Sequence, residues 1–281
     1  MVPDIVIHAA AAAAYAGLAW HFWRTRWRAR LGRAGLRAWE RAAIFAVLAM
    51  HTWALALSAL LGDAPRIGFA FALSSMLWLA VLFYWAESFL VDLEALQPIV
   101  LGFAAVVVPL TALFPGRAPV TTSPQFWLHL SLVVLSSGVL TVAMLHAVLM
   151  AFMERRLHRA RAEPVAAPGS VMQGPLASLP PLLTMERMLF VLIGIGFVLL
   201  TLTLATGILL SESVYGRGLR FTHETLFAVV AWLVFGILLA GRTLYGWRGR
   251  TAMRWVLAGF LMVMLAGIGS RFVLEVVLGR S

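Results

Sequence analysis

Long, uninterrupted runs of apolar residues constrain this chain more than any other feature of its sequence. They predict helical spans at about 5–22, 42–61, 67–86, 96–114, 125–151, 187–210, 223–241 and 253–274. Each run is near or above the roughly 18–20 residues that a helix needs to cross a hydrocarbon core of about 30 Å. The runs lack the apolar–polar alternation of membrane strands, and backbone groups in lipid must be paired within their own segment. The sequence therefore predicts an all-α integral membrane protein, a bundle of about eight transmembrane helices.

The composition agrees with a chain that lies mostly in the bilayer. Hydrophobic residues make up 62% and charged residues only 12%, about half the charged share of a soluble domain. The loops are short, so we expect one membrane domain over residues 1–281, with its first four helices in 5–114. A Pro-, Gly- and Ala-rich stretch at 162–183 predicts a flexible cytoplasmic linker between the fifth and sixth helices.

The arginines predict the orientation of the bundle. The chain has 22 basic residues and no lysine. Sixteen arginines lie in or beside the first, fifth and seventh loops: Arg24, Arg26, Arg28, Arg30, Arg33, Arg37, Arg41, Arg155, Arg156, Arg159, Arg161, Arg187, Arg242, Arg248, Arg250 and Arg254. Cytoplasmic loops carry an excess of arginine, so both termini are predicted to be periplasmic. This distribution indicates contact with the lipid bilayer and argues against a nucleic-acid surface.

Several classes of chemistry are excluded or disfavoured by what the sequence lacks. The chain has no cysteine, so it can form neither disulfides nor thiolate metal sites. It has no Gly-rich phosphate loop, no H-E-x-x-H pattern and no nucleophile elbow. We therefore expect a protein that is not an enzyme. The arginines follow the first apolar run, so that run is expected to be an uncleaved helix.

Histidines are the residues that could carry function, because ionisable groups at membrane depth are costly. His129 and His223 open the fifth and seventh spans at similar depth on the outer side, and His51 lies near the middle of the second span. Two neutral imidazoles from facing helices can ligate haem iron. His129 and His223 form the natural pair, although each could instead be an interfacial residue bonded to water. His51 could be a ligand or make an interhelical hydrogen bond.

Small residues are dense in the sixth and eighth spans. Such residues let helix backbones approach closely in a membrane. We expect both spans to pack inside the bundle, with Gly267 and Gly269 next to another helix backbone.

Three stretches in the second half of the chain resemble a known family. They are FWLHLSLVVLSSGVLTVAMLHAVLMAFMERRL (126–157), LPPLLTMERMLFVLIGIGFVLLTLTLATGILLSE (179–212) and FTHETLFAVVAWLVFGILLAGRTLYGWRGR (221–250). Over about 125–278 the chain resembles cytochrome c assembly proteins of the CcsA/CcmC haem-handling type, most strongly the YpjD/HemX-like subgroup of bacterial inner-membrane proteins. In that family the first of these helices carries a periplasmic histidine, and His129 takes its place.

The resemblance implies a haem-binding protein of the bacterial inner membrane that handles, chaperones or regulates haem. His129 would be an axial ligand, with His223 or His51 as the second, and another membrane protein of haem or cytochrome biogenesis would be a partner. The stretch SVYGRGLRFTHET (213–225) lacks the Trp and Asp of the haem exporters, and no histidine follows His223. Delivery of haem to apocytochrome c is therefore not implied. The alternatives are a non-haem scaffold or regulatory subunit that keeps the fold, and a small-molecule transporter.

Overall fold

The computed structural model describes residues 2–28, 36–61, 65–89, 97–119, 121–162, 182–215 and 222–277. Within these ranges the chain forms helices α1 Val2–Phe22, α2 Ala38–Ala56, α3 Phe69–Glu87, α4 Gln97–Val107, α5 Leu110–Leu113, α6 Pro124–Ala162, α7 Leu182–Tyr215, α8 His223–Tyr245, α9 Gly249–Met264 and α10 Ser270–Phe272. Wider π-helical turns extend α1, α2 and α9 and follow α10. Most of the expected linker lies outside the described residues.

The all-α membrane fold is confirmed. Within the part of the chain that the structure describes, seven helical segments are long and apolar enough to cross a membrane: Ile5–Arg26, Ala38–Ala59, Phe69–Glu87, Pro124–Arg155, Leu182–Ser213, His223–Tyr245 and Gly249–Val277. The expected fourth span is a shorter apolar helix, Gln97–Leu113. In the described ranges, extended pairing is limited to one antiparallel bridge between Ile67 and Arg117.

Proline accounts for the interruption of that fourth helix. The regular helix is interrupted by a turn at Val108 and Pro109, and the chain then forms the single turn α5. A proline inside a helix has no N–H to donate, and its ring collides with the carbonyl of the preceding turn. The hydroxyl of Thr111 donates to Val108 O at 2.5 Å and so satisfies one carbonyl freed by the break.

Helices α3 and α6 form the centre of the bundle. The spans that contain them are 56% and 61% buried, against 17–39% for the other five. Helix α3 packs against α2, α4 and α6, and helix α6 packs against α3, α7 and α9. The first four spans and the last four therefore meet mainly through the contact between α3 and α6.

Glycines permit the close approach of α6 to its neighbours. A Cβ atom on Gly138 would collide with the side chain of Leu79 on α3, and one on Gly196 would lie 2.5 Å from Leu140 Cδ2 on α6. Lipid tails supply no hydrophobic drive for helix association, so these contacts depend on van der Waals packing. They hold α6 between α3 and α7.

Gly138→Ala should destabilise the protein by about 1–3 kcal/mol, because an added methyl group must push Leu79 aside in a packed interior. Thermal unfolding in mild detergent measures the loss. Gly102→Ala is the matched control, because no atom lies within 4 Å of its Cβ position. Equal stability of the two variants would contradict the packing between α3 and α6.

The expectation that span eight packs inside the bundle through Gly267 and Gly269 is wrong: its segment, Gly249–Val277, is 17% buried, less than any other of the described spans. Nothing lies within 4 Å of a Cβ built on Gly267, and the atoms near Gly269 belong to Met264 and Leu265 of the same helical segment. The close contact is at Gly259, where a Cβ would lie 2.7 Å from the Phe235 ring on α8. The density of small residues in the sequence could not distinguish Gly259 from Gly267.

The two ends of the bundle are marked by different polar contacts. At the arginine-rich end, Arg41 donates to Ser88 O at 2.8 Å, and Arg250 Nε lies 2.7 Å from Glu154 Oε1. These contacts join the start of α2 to the end of α3, and the end of α6 to the start of α9. At the opposite end Ile67 N–H donates to Arg117 O at 2.8 Å. The loops that carry most arginines thus share one end of the bundle.

Reporter fusions test which end faces the cytoplasm. A reporter enzyme active only in the periplasm should work when fused near Pro115 or at the C-terminus, and should be silent when fused within residues 162–183. The reason for this expectation is the excess of arginine in and beside the first, fifth and seventh loops, which marks them as cytoplasmic. An active fusion within 162–183 would reverse the orientation and place His129 and His223 at the cytoplasmic face.

Candidate functional site

His129 lies in the second turn of α6, at the end opposite the arginine-rich loops. Pro124 opens the helix, and the hydroxyl of Ser123 accepts the N–H of Phe126 at 3.3 Å. A serine before the helix and a proline at its first position are both favourable there. The imidazole of His129 is half-buried on the side of α6 that faces α7.

Hydrogen bonds select the tautomer of His129. Its Nδ1 lies 3.0 Å from the hydroxyl oxygen of Thr206 on α7. That hydroxyl is 2.8 Å from Leu202 O and 3.1 Å from Thr203 O, so its single proton goes to a helix carbonyl and its oxygen accepts from His129. Nδ1 therefore carries the proton, and Nε2 presents a lone pair. Histidines that bind metals in proteins usually donate their other ring N–H to an acceptor, which fixes the tautomer and the orientation of the ring.

Gly207 gives the imidazole its place against α7. A Cβ atom on Gly207 would lie 3.2 Å from His129 Cε1 and 3.8 Å from Nδ1. A larger residue there would press on the ring between its two nitrogens. The pair of Thr206 and Gly207 thus fixes both the orientation and the protonation of His129.

Arg271 brings positive charge to the same end of the bundle. It interacts electrostatically with His129, and its Nε lies 4.0 Å from Glu224 Oε1. Glu275, one turn further on, accepts the N–H of Phe69 at 3.4 Å, which ties this last segment to the start of α3. The end of the last span therefore lies beside the starts of α3, α6 and α8.

His223 is the first residue of α8 and is exposed. Thr222 precedes the helix, and its hydroxyl accepts the N–H of Thr225 at 3.3 Å. The neighbour of His223, Glu224, contacts Arg271. The structure thus places His223 at the same end of the bundle as His129, as the sequence predicts. Arg271 lies near both residues, since it interacts with His129 and with Glu224, the neighbour of His223.

His51 is fully buried and lies in a hydrogen-bond network between helices. Its Nδ1 is 3.1 Å from the hydroxyl of Tyr15 on α1, and its Nε2 is 2.9 Å from the hydroxyl of Ser74 on α3. In this arrangement both ring nitrogens are used, and iron could bind only after one bond had broken. The geometry matches the interhelical alternative that the sequence left open for this residue.

Two further histidines contact carboxylates near the arginine-rich end. His146 is buried on α6, with Nδ1 3.0 Å from Val142 O and Nε2 3.6 Å from Glu87 Oε1. His21 Nε2 lies 3.0 Å from Glu40 Oε1. The sequence placed Glu87 in a loop, whereas it is the buried last residue of α3. Glu40 and Glu87, two acidic residues at the ends of spans, are thus buried within the bundle.

A neutral imidazole with one unprotonated nitrogen is a common metal ligand, and His223 and Arg271 lie at the same end of the bundle as His129. Sequence reasoning identified His129 and His223 but missed Thr206, Gly207 and Arg271. Thr206 and Gly207 stand in the small-residue stretch LTLATG of α7. Only the packing of α6 on α7 shows that they face His129.

A comparison with protein families matches residues 37–278 to the model described as Cytochrome C assembly protein. The match begins before the region in which the three stretches show resemblance, and it includes α2, α3, α4 and α5. Over 187 residues the chain is 30% identical to the inner membrane protein YpjD of Escherichia coli. That alignment covers 65% of this chain and 65% of the relative, so the chain spans just under two thirds of that relative's length.

Two other relatives cover different shares of the chain. An uncharacterized 28.8 kDa protein of Azospirillum brasilense is 32% identical over 74% of this chain and 76% of its own length. The cytochrome c biogenesis protein CcsA of Picosynechococcus sp. is 30% identical over 31% of this chain and 25% of its own length. No solved structure matches. The relatives and the apolar helices together identify a multi-pass protein of the inner membrane.

Proposed function

Because the chain belongs to the cytochrome c assembly protein family, we propose that it binds haem at the outer end of its bundle and holds, chaperones or regulates it. In this proposal the protein has no catalytic cycle of its own. Its partners are the lipid bilayer, haem and another membrane protein of haem or cytochrome biogenesis. The family supports haem handling in general, and the residues around His129 give the proposal its detail.

The tautomer of His129 carries the proposal. With Nδ1–H donated to Thr206, the lone pair on Nε2 is available for iron. Both nitrogens of His51, in contrast, are engaged in hydrogen bonds. His129 thus fits an axial ligand better than His51 does.

His223 and Arg271 complete the proposed site. His223 is exposed at the same end and can supply the second axial nitrogen. Haem carries two propionate carboxylates, and Arg271 offers them a guanidinium, which binds carboxylates in a two-pronged geometry. Bound haem would supply an iron centre for coordination, and these residues would orient it at the outer membrane surface.

Titration with hemin tests this function. Protein purified in mild detergent should take up one hemin with a sharp Soret band. Thr206→Val should weaken the affinity on the order of tenfold, the lower end of the usual effect of losing a ligand's hydrogen-bond partner. We expect the lower end because the carbonyl of Thr203 remains as an acceptor for His129.

Thr201→Val is the matched control on the same helix. The hydroxyl of Thr201 accepts a hydrogen bond from Trp232 Nε1 at 2.8 Å and donates one to Phe197 O at 2.8 Å, away from His129. Its loss should leave hemin affinity unchanged. If the wild-type protein is colourless from haem-replete cells and takes up no hemin, the haem function is wrong.

One observation favours a second candidate, a scaffold or regulatory subunit that kept the fold without haem. The stretch before α8 lacks the Trp and Asp that the haem exporters carry there. In that case a membrane partner should co-purify with colourless protein. Pigmented protein with no co-purifying partner would exclude this alternative.

A further inference from the structure

The turn between α8 and α9 places three aromatic rings in a row beside several arginines. The rings of Tyr245 and Trp247 are stacked with centroids 6.4 Å apart, and those of Trp247 and Trp255 are 5.4 Å apart. Residues 242–255 are called the aromatic–arginine turn below. It lies at the arginine-rich end of the bundle.

The backbone of this turn is held in one conformation. Gly246 and Gly249 have φ angles of 66° and 54°, in the left-handed region that favours glycine. The N–H of Trp247 donates to Gly241 O at 3.1 Å, and the indole ring lies against the backbone of Gly241, where a Cβ atom would collide with it. The rings are therefore a fixed platform.

Positive charge exceeds negative charge around that platform. Glu186 contacts both Arg242 at 2.6 Å and Arg248 at 3.8 Å, and Glu154 contacts Arg250 at 2.7 Å. The side chains of Arg248 and Arg250 are still 66% and 59% exposed. Exposed arginines nearby, not members of these pairs, are Arg155, Arg187 and Arg254. Among the described residues of this region, six guanidinium groups thus outnumber the carboxylates of Glu154 and Glu186.

We propose that the aromatic–arginine turn binds the headgroup phosphate of an anionic phospholipid, phosphatidylglycerol. A guanidinium binds a phosphate through two parallel hydrogen bonds. Aromatic rings of Trp and Tyr sit favourably at the level of the headgroup and glycerol backbone. Exposed Leu244 and Tyr245, at 73% and 76%, offer apolar surface to the acyl chains.

The positive charge favours an anionic lipid over a neutral one, and the apolar rings favour a lipid over a soluble anion. The platform supplies both a cationic edge for the phosphate and flat apolar rings for the rest of the lipid. Basic sites between helix ends at the cytoplasmic face are typical of anionic lipid binding. The site is distinct from that of His129, which lies at the opposite end of the bundle, so the two proposals fail independently.

Native mass spectrometry of the detergent-purified full chain tests the proposal. Added phosphatidylglycerol should bind the wild-type protein more tightly than added phosphatidylcholine does. Arg248→Gln/Arg250→Gln should weaken phosphatidylglycerol binding about 25-fold, at about five-fold for each arginine near the lipid. Arg248→Gln alone should weaken it about five-fold, and it leaves the Arg250–Glu154 contact in place.

Arg66→Gln/Arg117→Gln is the matched control, because both arginines are exposed at the other end of the bundle. It should bind phosphatidylglycerol as the wild type does. The proposal is wrong if the two double variants lose affinity equally, or if the wild type does not distinguish the two lipids. Displacement of the lipid by excess inorganic phosphate would also overturn it, because the site would then be one for a simple anion.

Discussion

His129→Ala should abolish the Soret band of the hemin-loaded protein or shift it strongly. Removing the imidazole takes away an iron ligand, whereas Thr206→Val takes away only the group that orients it. The loss in affinity should therefore exceed the roughly 10–100-fold cost of losing a ligand's hydrogen-bond partner. Hemin titration followed by absorption and magnetic circular dichroism measures both affinity and iron coordination.

Added imidazole distinguishes ligation from a structural effect of the same substitution. If His129 binds iron, free imidazole should restore the wild-type spectrum of His129→Ala. His223→Ala should convert six-coordinate to five-coordinate iron without loss of haem if His223 is the second ligand. His158→Ala should change nothing, because His158 belongs to the arginine-rich tail of α6. An unchanged spectrum in His129→Ala would exclude this residue as a ligand.

The positions of the spans were predictable because their cause is local. Each apolar run must satisfy its own backbone in lipid, so length and composition suffice to identify a helix. The lengths were less predictable, since α6 has 39 residues and α7 has 34, well beyond their apolar centres. Pro109 is also visible in the sequence, but an unbroken span over 96–114 was expected there.

The site was predictable only as far as single helices determine it. His129 and His223 each lie near the start of a helix, so their depth follows from the sequence. The contact of His129 with Thr206 joins residues 77 positions apart, and it depends on how α6 and α7 are rotated against each other. Small residues permit many such rotations, and helix packing rather than hydrophobicity selects one. For the same reason, the sequence could not show that both ring nitrogens of His51 form hydrogen bonds, with Tyr15 and Ser74.

Buried charge was the largest omission of the sequence reading. Glu40, two residues before the expected start of span two, is 2% exposed. Its Oε2 accepts from Arg26 at 2.8 Å and from the N–H of Arg37 at 2.8 Å, and its Oε1 lies 3.0 Å from His21 Nε2. Arg26 lies in the π-helical extension of α1, and its side chain is 3% exposed. Glu40 thus joins the residues on either side of the first arginine-rich loop.

Glu40→Gln should destabilise the protein by about 3–5 kcal/mol, because breaking a buried ion pair leaves one charge without its partner in a poorly solvated place. The double variant Arg26→Leu/Glu40→Leu should recover most of that loss, since it removes both charges together. Thermal and denaturant unfolding in mild detergent measure the free energies. Arg250→Gln is the control: its pair with Glu154 is 59% and 24% exposed, and such pairs contribute about 0–1 kcal/mol. If Glu40→Gln costs no more than Arg250→Gln, Glu40 and Arg26 are hydrated in the membrane, and α1 is held to α2 by its apolar contacts alone.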